Sequence, residues 1–229
     1  MKSSQFFIYK SVLFIGLFVG CASAPKVLFK DAVDTKTKPI RYQDKRTFTF
    51  TDSGVSFSNQ FEGARLNAVD QLNDSIFIVT ILPENEPINH SPYYAFDVWS
   101  SSPKEITLKF KYPEQYKHRY VPKIKSNGVW SVADSLAFQF DENFSSLKLQ
   151  TNPIAKTVSG QELHTSSDVY SWVDQLIKGK ENYVRSKTIG KTKLKRPFMV
   201  LDIYKGSPKN KSVLVLLTRQ HPPEVTGYF

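Results

Sequence analysis

The middle of the chain alternates short apolar runs with turn-forming residues and lacks the period of an amphipathic helix. Residues 106–112 (ITLKFKY) alternate apolar and polar side chains, as a strand with one buried face does. Residues 75–82 (SIFIVTIL) end at Pro83. The predicted strands are 47–51, 55–61, 75–82, 93–99, 106–112, 120–125, 136–140 and 147–150. Short strands at this regular spacing predict an antiparallel β-sandwich over residues 46–158.

The period changes after residue 160, where apolar residues recur at i, i+3 and i+4. These residues are Val169, Trp172, Val173, Leu176 and Ile177. The spacing predicts a helix with one apolar face, capped by Ser166 or Ser167, with Asp168 in its first turn. Gly179 is expected to end it.

Three further strands are predicted after the helix, at residues 183–189, 198–204 and 213–217. The last of these (VLVLL) is apolar without alternation, which is typical of a central strand buried on both faces of an α/β sheet. The fold class is therefore mixed, with an amino-terminal antiparallel β-sandwich followed by the start of an α/β domain at residues 159–229.

The charge of the chain is concentrated in one stretch. The 229 residues carry 31 Lys and Arg against 21 Asp and Glu, a net charge of +10, and residues 178–211 hold 11 basic against 2 acidic side chains. A basic stretch can bind a polyanion. Between Lys180 and Lys195, however, Tyr183 is the only aromatic residue available for base stacking. We therefore interpret the stretch as solvated loops and strand faces, and we expect no nucleic-acid partner.

The amino terminus has the pattern of an export signal. Lys2 and Lys10 precede an uncharged apolar run at residues 12–20, which is too short to span a bilayer. The next residue, Cys21, is the only cysteine, so the chain forms no intramolecular disulfide.

The sequence Phe18-Val19-Gly20-Cys21 resembles the lipobox of bacterial lipoproteins. This resemblance implies that residues 1–20 are a lipoprotein signal peptide and that Cys21 is the lipidation site. Residues 21–45 would then be a lipidated tether, and Ala22 after the cysteine favours the bacterial outer membrane over retention in the inner membrane. The exported chain would be anchored to the outer membrane or face the periplasm. The alternative is an ordinary signal peptide cleaved at Ala22-Ser23-Ala24.

A candidate metal site follows the predicted buried strand. His221 and Glu224 lie three residues apart at its carboxyl end, where α/β sheets bind ligands. An imidazole nitrogen and a carboxylate oxygen are both good Zn²⁺ ligands. The His-x-x-Glu spacing alone is weak evidence for a metal site. The alternative interpretation is a loop with one exposed imidazole.

The surrounding sequence makes the zinc interpretation more specific. Residues 183–224 resemble the zinc metallocarboxypeptidases, the family of carboxypeptidase A. The resemblance is carried in order by Thr188-Ile189-Gly190, by Arg196-Pro197, by the strand at 213–217 and by His221-Pro222-Pro223-Glu224. The segment Ser91-Pro92-Tyr93-Tyr94-Ala95-Phe96 resembles the aromatic strand in the sandwich of the cytosolic-carboxypeptidase-like branch.

The resemblance implies hydrolysis of a carboxy-terminal peptide bond, with His221 and Glu224 as zinc ligands. The substrate would be a peptide or a cell-wall peptide. The family's third ligand, its arginines and its general-base glutamate lie farther downstream than Phe229. No catalytic residue is therefore assigned, and the chain is expected to be the front part of a longer enzyme.

The alternative function is that of a non-catalytic surface lipoprotein. Its β-sandwich would bind a glycan or a protein, with Trp99, Tyr93 or Trp130 as a platform for sugar rings. Burial in the core is the more common role of such aromatic residues.

Overall fold

The computed structural model describes residues 41–83, 93–114, 116–140, 145–192, 194–207 and 209–217. The first group of elements is made of strands: β1 Thr47–Phe50, β2 Val55–Ser58, β3 Ala68–Asn73, β4 Ile76–Thr80, β5 Ala95–Ser100, β6 Lys104–Lys111, β7 Lys123–Ser126, β8 Val129–Val132, β9 Phe138–Phe140, β10 Ser145–Thr151 and β11 Lys156–Ser159. The helix α1 (Ser166–Ile177) follows, and then the strands β12 (Val184–Lys191) and β13 (Pro197–Ile203).

The first eleven strands form two sheets. One sheet has the order β1-β2-β5-β11-β7-β8, and the other has the order β3-β4-β6-β10-β9. All pairs in these sheets are antiparallel except β4 and β6, which are parallel. Since β5 belongs to the other sheet, β4 and β6 are not joined by a direct hairpin, and they pair in parallel. The predicted antiparallel sandwich is present, and the pair of β4 and β6 is its one parallel exception among the described strands.

The sandwich encloses an aromatic core. The Phe57 ring is fully buried, and its centroid lies 5.3 Å from that of Phe77 and 6.1 Å from that of Phe96. Phe50 adds an edge-on contact at 6.2 Å. Such tilted and edge-on pairs are favourable beyond the apolar area that they bury. This core confirms the inward direction of Phe57, Phe77 and Phe96 in the predicted strands, whereas Trp99 is half-buried and Phe140 is exposed.

The alternating pattern located most strands of the sandwich but missed three. The missed strands are β3 (AVDQLN), β8 (VWSV) and β11 (KTVS). Both β3 and β8 are edge strands with mostly half-buried or exposed side chains, so their sequences need no apolar alternation. β11 pairs on both sides, and its hydrogen bonds to β5 and β7 hold a short polar sequence in place.

The predicted helix is present as α1, but its cap is Thr165 and not Ser166 or Ser167. The Thr165 hydroxyl accepts from the Asp168 backbone N–H, and the Asp168 carboxylate accepts from the Thr165 N–H at 2.8 Å. This reciprocal pair is a capping box. Gly179 follows the helix with φ of +74°, a conformation that favours glycine.

The helix buries less of its apolar face than the spacing predicts. Val173 is buried, whereas 47% of Trp172 is exposed. Among the described residues, no helix combines the length and apolar character needed to cross a membrane.

The strands β12 and β13 form an antiparallel hairpin with a bulge between Thr188 and Gly190. The prediction of a buried strand at residues 213–217 is wrong for this structure. These residues have no strand conformation, and their side chains are 69–84% exposed. A doubly buried strand needs neighbours at its edges and cover on both faces, and the described residues supply neither around this segment.

Candidate functional site

The residues predicted to carry chemistry, Cys21, His221 and Glu224, lie outside the described residues. Their donor types suit zinc, but two ligands are fewer than the three that a catalytic zinc needs. In the part of the chain that the structure describes, no group of three or more His, Cys, Asp or Glu side chains is placed to hold a metal ion. We derive no catalytic step through zinc.

A cleft lies between the sandwich and the helix with its hairpin. Its volume is about 1100 Å³. The sandwich contributes residues 42–45, 60–65 and 82–83, and the carboxy-terminal part contributes residues 163–170 and 192–199, with gaps. The cleft therefore borders the Arg196-Pro197 sequence on which the carboxypeptidase resemblance partly rests.

An ion pair crosses this cleft. Arg196 Nη1 donates to Glu62 Oε1, and Ser167 Oγ donates to Glu62 Oε2 at 2.5 Å. One carboxylate thus joins the turn after β2, the first turn of α1 and the residue before β13. Because both oxygens are used, Glu62 holds these elements together and is not placed as a free general base.

A second contact fixes the start of β13 against the helix. Tyr170 Oη donates to the backbone carbonyl of Pro197 at 2.6 Å. Proline has no N–H to give to the sheet, so it is tolerated at the first position of a strand. Together with the Arg196 ion pair, this contact sets the direction in which β13 leaves the cleft.

The sandwich side of the cleft is held by cations that bind backbone carbonyls. Lys45 Nζ donates to the carbonyls of Asn59 at 2.8 Å and Phe61 at 3.0 Å. Arg65 is buried, and its Nε donates to the Leu82 carbonyl at 2.6 Å. Because Lys45 and Arg65 bind backbone carbonyls, they fix the loops on this side of the cleft. Their role in the described structure is therefore structural.

Asn59 organises the strand end next to this cleft. Its side chain is fully buried, and its amide Nδ2 donates to the carbonyls of Asp44 and Leu66, both at 2.8 Å. Its Oδ1 accepts from the Arg46 N–H at 2.7 Å. Sequence reasoning missed Asn59 and Glu62 because neither belongs to a motif and their partners are distant in the chain.

A separate titratable cluster lies inside the sandwich, around His118. Tyr112 Oη lies 2.9 Å from His118 Nδ1, and the Tyr120 carbonyl lies 2.5 Å from His118 Nε2. A carbonyl can only accept, so these contacts assign the imidazole proton to Nε2 and make Nδ1 the acceptor for Tyr112. Burial lowers the pKa of His118, which favours this neutral form.

Tyr94 packs on the same cluster. Its ring centroid is 5.6 Å from that of His118 and 4.7 Å from that of Phe110. Burial is the main cause that raises the pKa of Tyr94 well above its usual value, so its hydroxyl stays protonated. The cluster thus remains uncharged near neutral pH and belongs to the core of the sandwich.

Sequence comparison gives no relative for this chain. No family model matches it, and no curated protein is similar to it in sequence.

Comparison with solved structures finds metallo-carboxypeptidases of similar fold. A metallo-carboxypeptidase from Burkholderia cenocepacia is similar with a TM-score of 0.57 and 10% identity, over 69% of this chain and 41% of that one. A metallo-carboxypeptidase from Pseudomonas aeruginosa, solved with (2-guanidinoethylmercapto)succinic acid, is similar with a TM-score of 0.52 and 13% identity, over 67% of this chain and 41% of that one. The chain thus spans about two fifths of their length and has a mixed, β-rich, metallo-carboxypeptidase-like fold.

Proposed function

We propose that this chain forms the amino-terminal sandwich and the first part of the catalytic domain of a zinc metallocarboxypeptidase. The enzyme would remove a carboxy-terminal residue from a peptide or a cell-wall peptide. The observation that carries the proposal is the similarity of fold to two metallo-carboxypeptidases, in a chain that also contains His221-x-x-Glu224. In this proposal the sandwich covers residues 46–158 and the catalytic part begins at residue 159, the last residue of β11.

In the proposed site, His221 and Glu224 would hold zinc through an imidazole nitrogen and a carboxylate oxygen. When bound, the metal supplies Lewis-acid chemistry that polarises a peptide carbonyl. The described residues of this chain would position the strand that precedes the zinc ligands. Arg196 and Tyr170 fix β13 against the sandwich and the helix, upstream of the segment that leads to His221.

The proposed zinc ligands can be tested in the chain itself. We expect the full chain to bind one zinc ion in equilibrium dialysis, weakly because a two-ligand site is incomplete. Either His221→Ala or Glu224→Ala should weaken this binding by at least about tenfold, since even the outer partners of metal ligands contribute that much.

The matched control is His90→Ala. His90 is another histidine of the same chain, and Tyr93 stands three residues after it where a carboxylate would be needed. This variant should bind zinc as the parent does. Equal zinc affinity in the parent and in His221→Ala would contradict the proposed ligands.

We also propose that Cys21 carries a lipid that anchors the chain to the bacterial outer membrane. Cells expressing the chain and fed labelled palmitate should incorporate the label into the protein, and Cys21→Ser should abolish it. Cleavage at residues 22–24 without any label would instead indicate an ordinary signal peptide.

The proposed carboxypeptidase function is preferred to a glycan-binding one because the comparisons give no support to the latter. Trp130 is half-buried and lies under Lys125 Nζ, 5.7 Å from the ring centroid, so its face is already in contact with a cation.

A further inference from the structure

The tip of the β12–β13 hairpin combines a defined turn with exposed apolar side chains. The Thr192 N–H donates to the Arg196 carbonyl, and the Lys195 N–H donates to the Thr192 carbonyl, both at 2.9 Å. Lys195 has φ of +62°, which closes the turn. These two backbone hydrogen bonds hold Thr192, Lys195 and Arg196 together at the turn.

Three large apolar side chains project from this tip. Ile189, Leu194 and Phe198 are each 56% exposed. Ile189 lies at the bulge between Thr188 and Gly190, where the strand carries one residue more than its partner. Leu194 and Phe198 also border the cleft, but more than half of each remains accessible to solvent.

The same tip carries positive charge that is not neutralised. Residues 189–198 (IGKTKLKRPF) contain no acidic residue. Arg196 pairs with Glu62, whereas Lys191 and Lys195 are exposed and form no ion pair with a described residue. Lysines beside exposed apolar side chains are the combination that binds anionic lipid surfaces.

We propose that the hairpin tip, at residues 189–192 and 194–198, binds the surface of an anionic lipid membrane. Leu194, Ile189 and Phe198 would enter the boundary between head groups and acyl chains, while Lys191 and Lys195 would bind lipid phosphates. The proposal needs no zinc site. A lipid at Cys21 would strengthen the contact by keeping the tip at a high effective concentration of head groups.

A lipid partner fits the tip better than a nucleic acid does. Single-stranded nucleic acids are held by aromatic stacking along a basic groove. Phe198 is the only aromatic residue among residues 189–198, and the other two exposed apolar side chains, Ile189 and Leu194, are aliphatic. Transfer of exposed aliphatic side chains into lipid is favourable, whereas their contact with a nucleic-acid base stabilises little.

The test uses the full chain with Cys21→Ser, which removes the single native thiol, and with Leu194→Cys carrying an environment-sensitive fluorophore. Vesicles of phosphatidylcholine alone are compared with vesicles of equal parts phosphatidylcholine and phosphatidylglycerol. We expect a blue shift of the label with the anionic vesicles, reversed by high salt. Lys191→Gln with Lys195→Gln should weaken this tip contact roughly 25-fold, from roughly fivefold for each lysine.

The controls match the tip in exposure and in charge. The same label at Val129→Cys reports on a site that is 70% exposed beside another hairpin turn, and it should not shift. Lys111→Gln with Lys148→Gln removes two exposed lysines of the sandwich and should leave the shift at residue 194 nearly unchanged.

Three results would overturn the proposal. They are an equal shift with phosphatidylcholine alone, an equal shift of the Val129→Cys label, and a shift of the residue 194 label with polyuridylate in the absence of lipid. The last result would assign the tip to nucleic acid. Thermal unfolding of each labelled variant shows whether it is folded, so that a lost shift is not caused by misfolding.

Discussion

Replacing Phe57 by alanine should lower the free energy of unfolding of the β-sandwich by about 3–5 kcal/mol. The ring is fully buried between the two sheets and contacts the rings of Phe50, Phe77 and Phe96. Removal of the ring abolishes the apolar area that it buries. It also leaves a cavity that the closely packed strands on both sides cannot close. Urea unfolding followed by circular dichroism should show a lower midpoint with an unchanged m-value.

Phe140→Ala is the matched control. Phe140 lies in the edge strand β9 and is 57% exposed. The same chemical change should cost less than about 1 kcal/mol there, because solvent already surrounds most of the ring. Equal losses in the two variants would mean that the Phe50, Phe57, Phe77 and Phe96 cluster is not the core of the folded protein.

Asn59→Ala should lower the free energy of unfolding by about 2–4 kcal/mol. The substitution removes a buried amide that bonds three backbone groups from two parts of the chain. The Arg46 N–H and the Leu66 carbonyl would lose their partners, and a buried polar group without a partner is costly. Urea unfolding measures the loss of stability. Hydrogen exchange of the Arg46 N–H should become faster, which would locate the effect at this network.

Asn152→Ala separates this network from the ordinary effect of losing an asparagine. Asn152 is half-buried, and its Oδ1 accepts one described bond, from the Ile154 N–H at 2.8 Å. We expect a loss of about 1 kcal/mol for this variant. If Asn59→Ala cost no more, the buried network at Asn59 would not stabilise the sandwich as argued.

The sequence predicted those elements whose own side chains repeat the geometry of the element. The alternation in ITLKFKY became β6, in which Ile106 and Leu108 are fully buried, and Phe110 nearly so. The apolar spacing after residue 160 became α1. Both patterns are local, because a strand repeats every two residues and a helix every 3.6.

The candidate site was only partly open to sequence reasoning. His221 and Glu224 were chosen by donor type and spacing, and they remain predictions. The cleft beside Arg196 was not predicted, because its ion pair joins residues that are 134 positions apart. A local pattern carries no information about such a partner.

The sequence alone determined a chain of short amphipathic strands, one helix and the donor types of a zinc ligand pair. Only the tertiary structure decided that β4 and β6 run parallel, that Glu62 joins the sandwich to α1 and β13, and that residues 213–217 are exposed. The physical reason is that periodicity fixes which face of an element is apolar. Which other element covers that face depends on contacts between residues that are far apart in the chain.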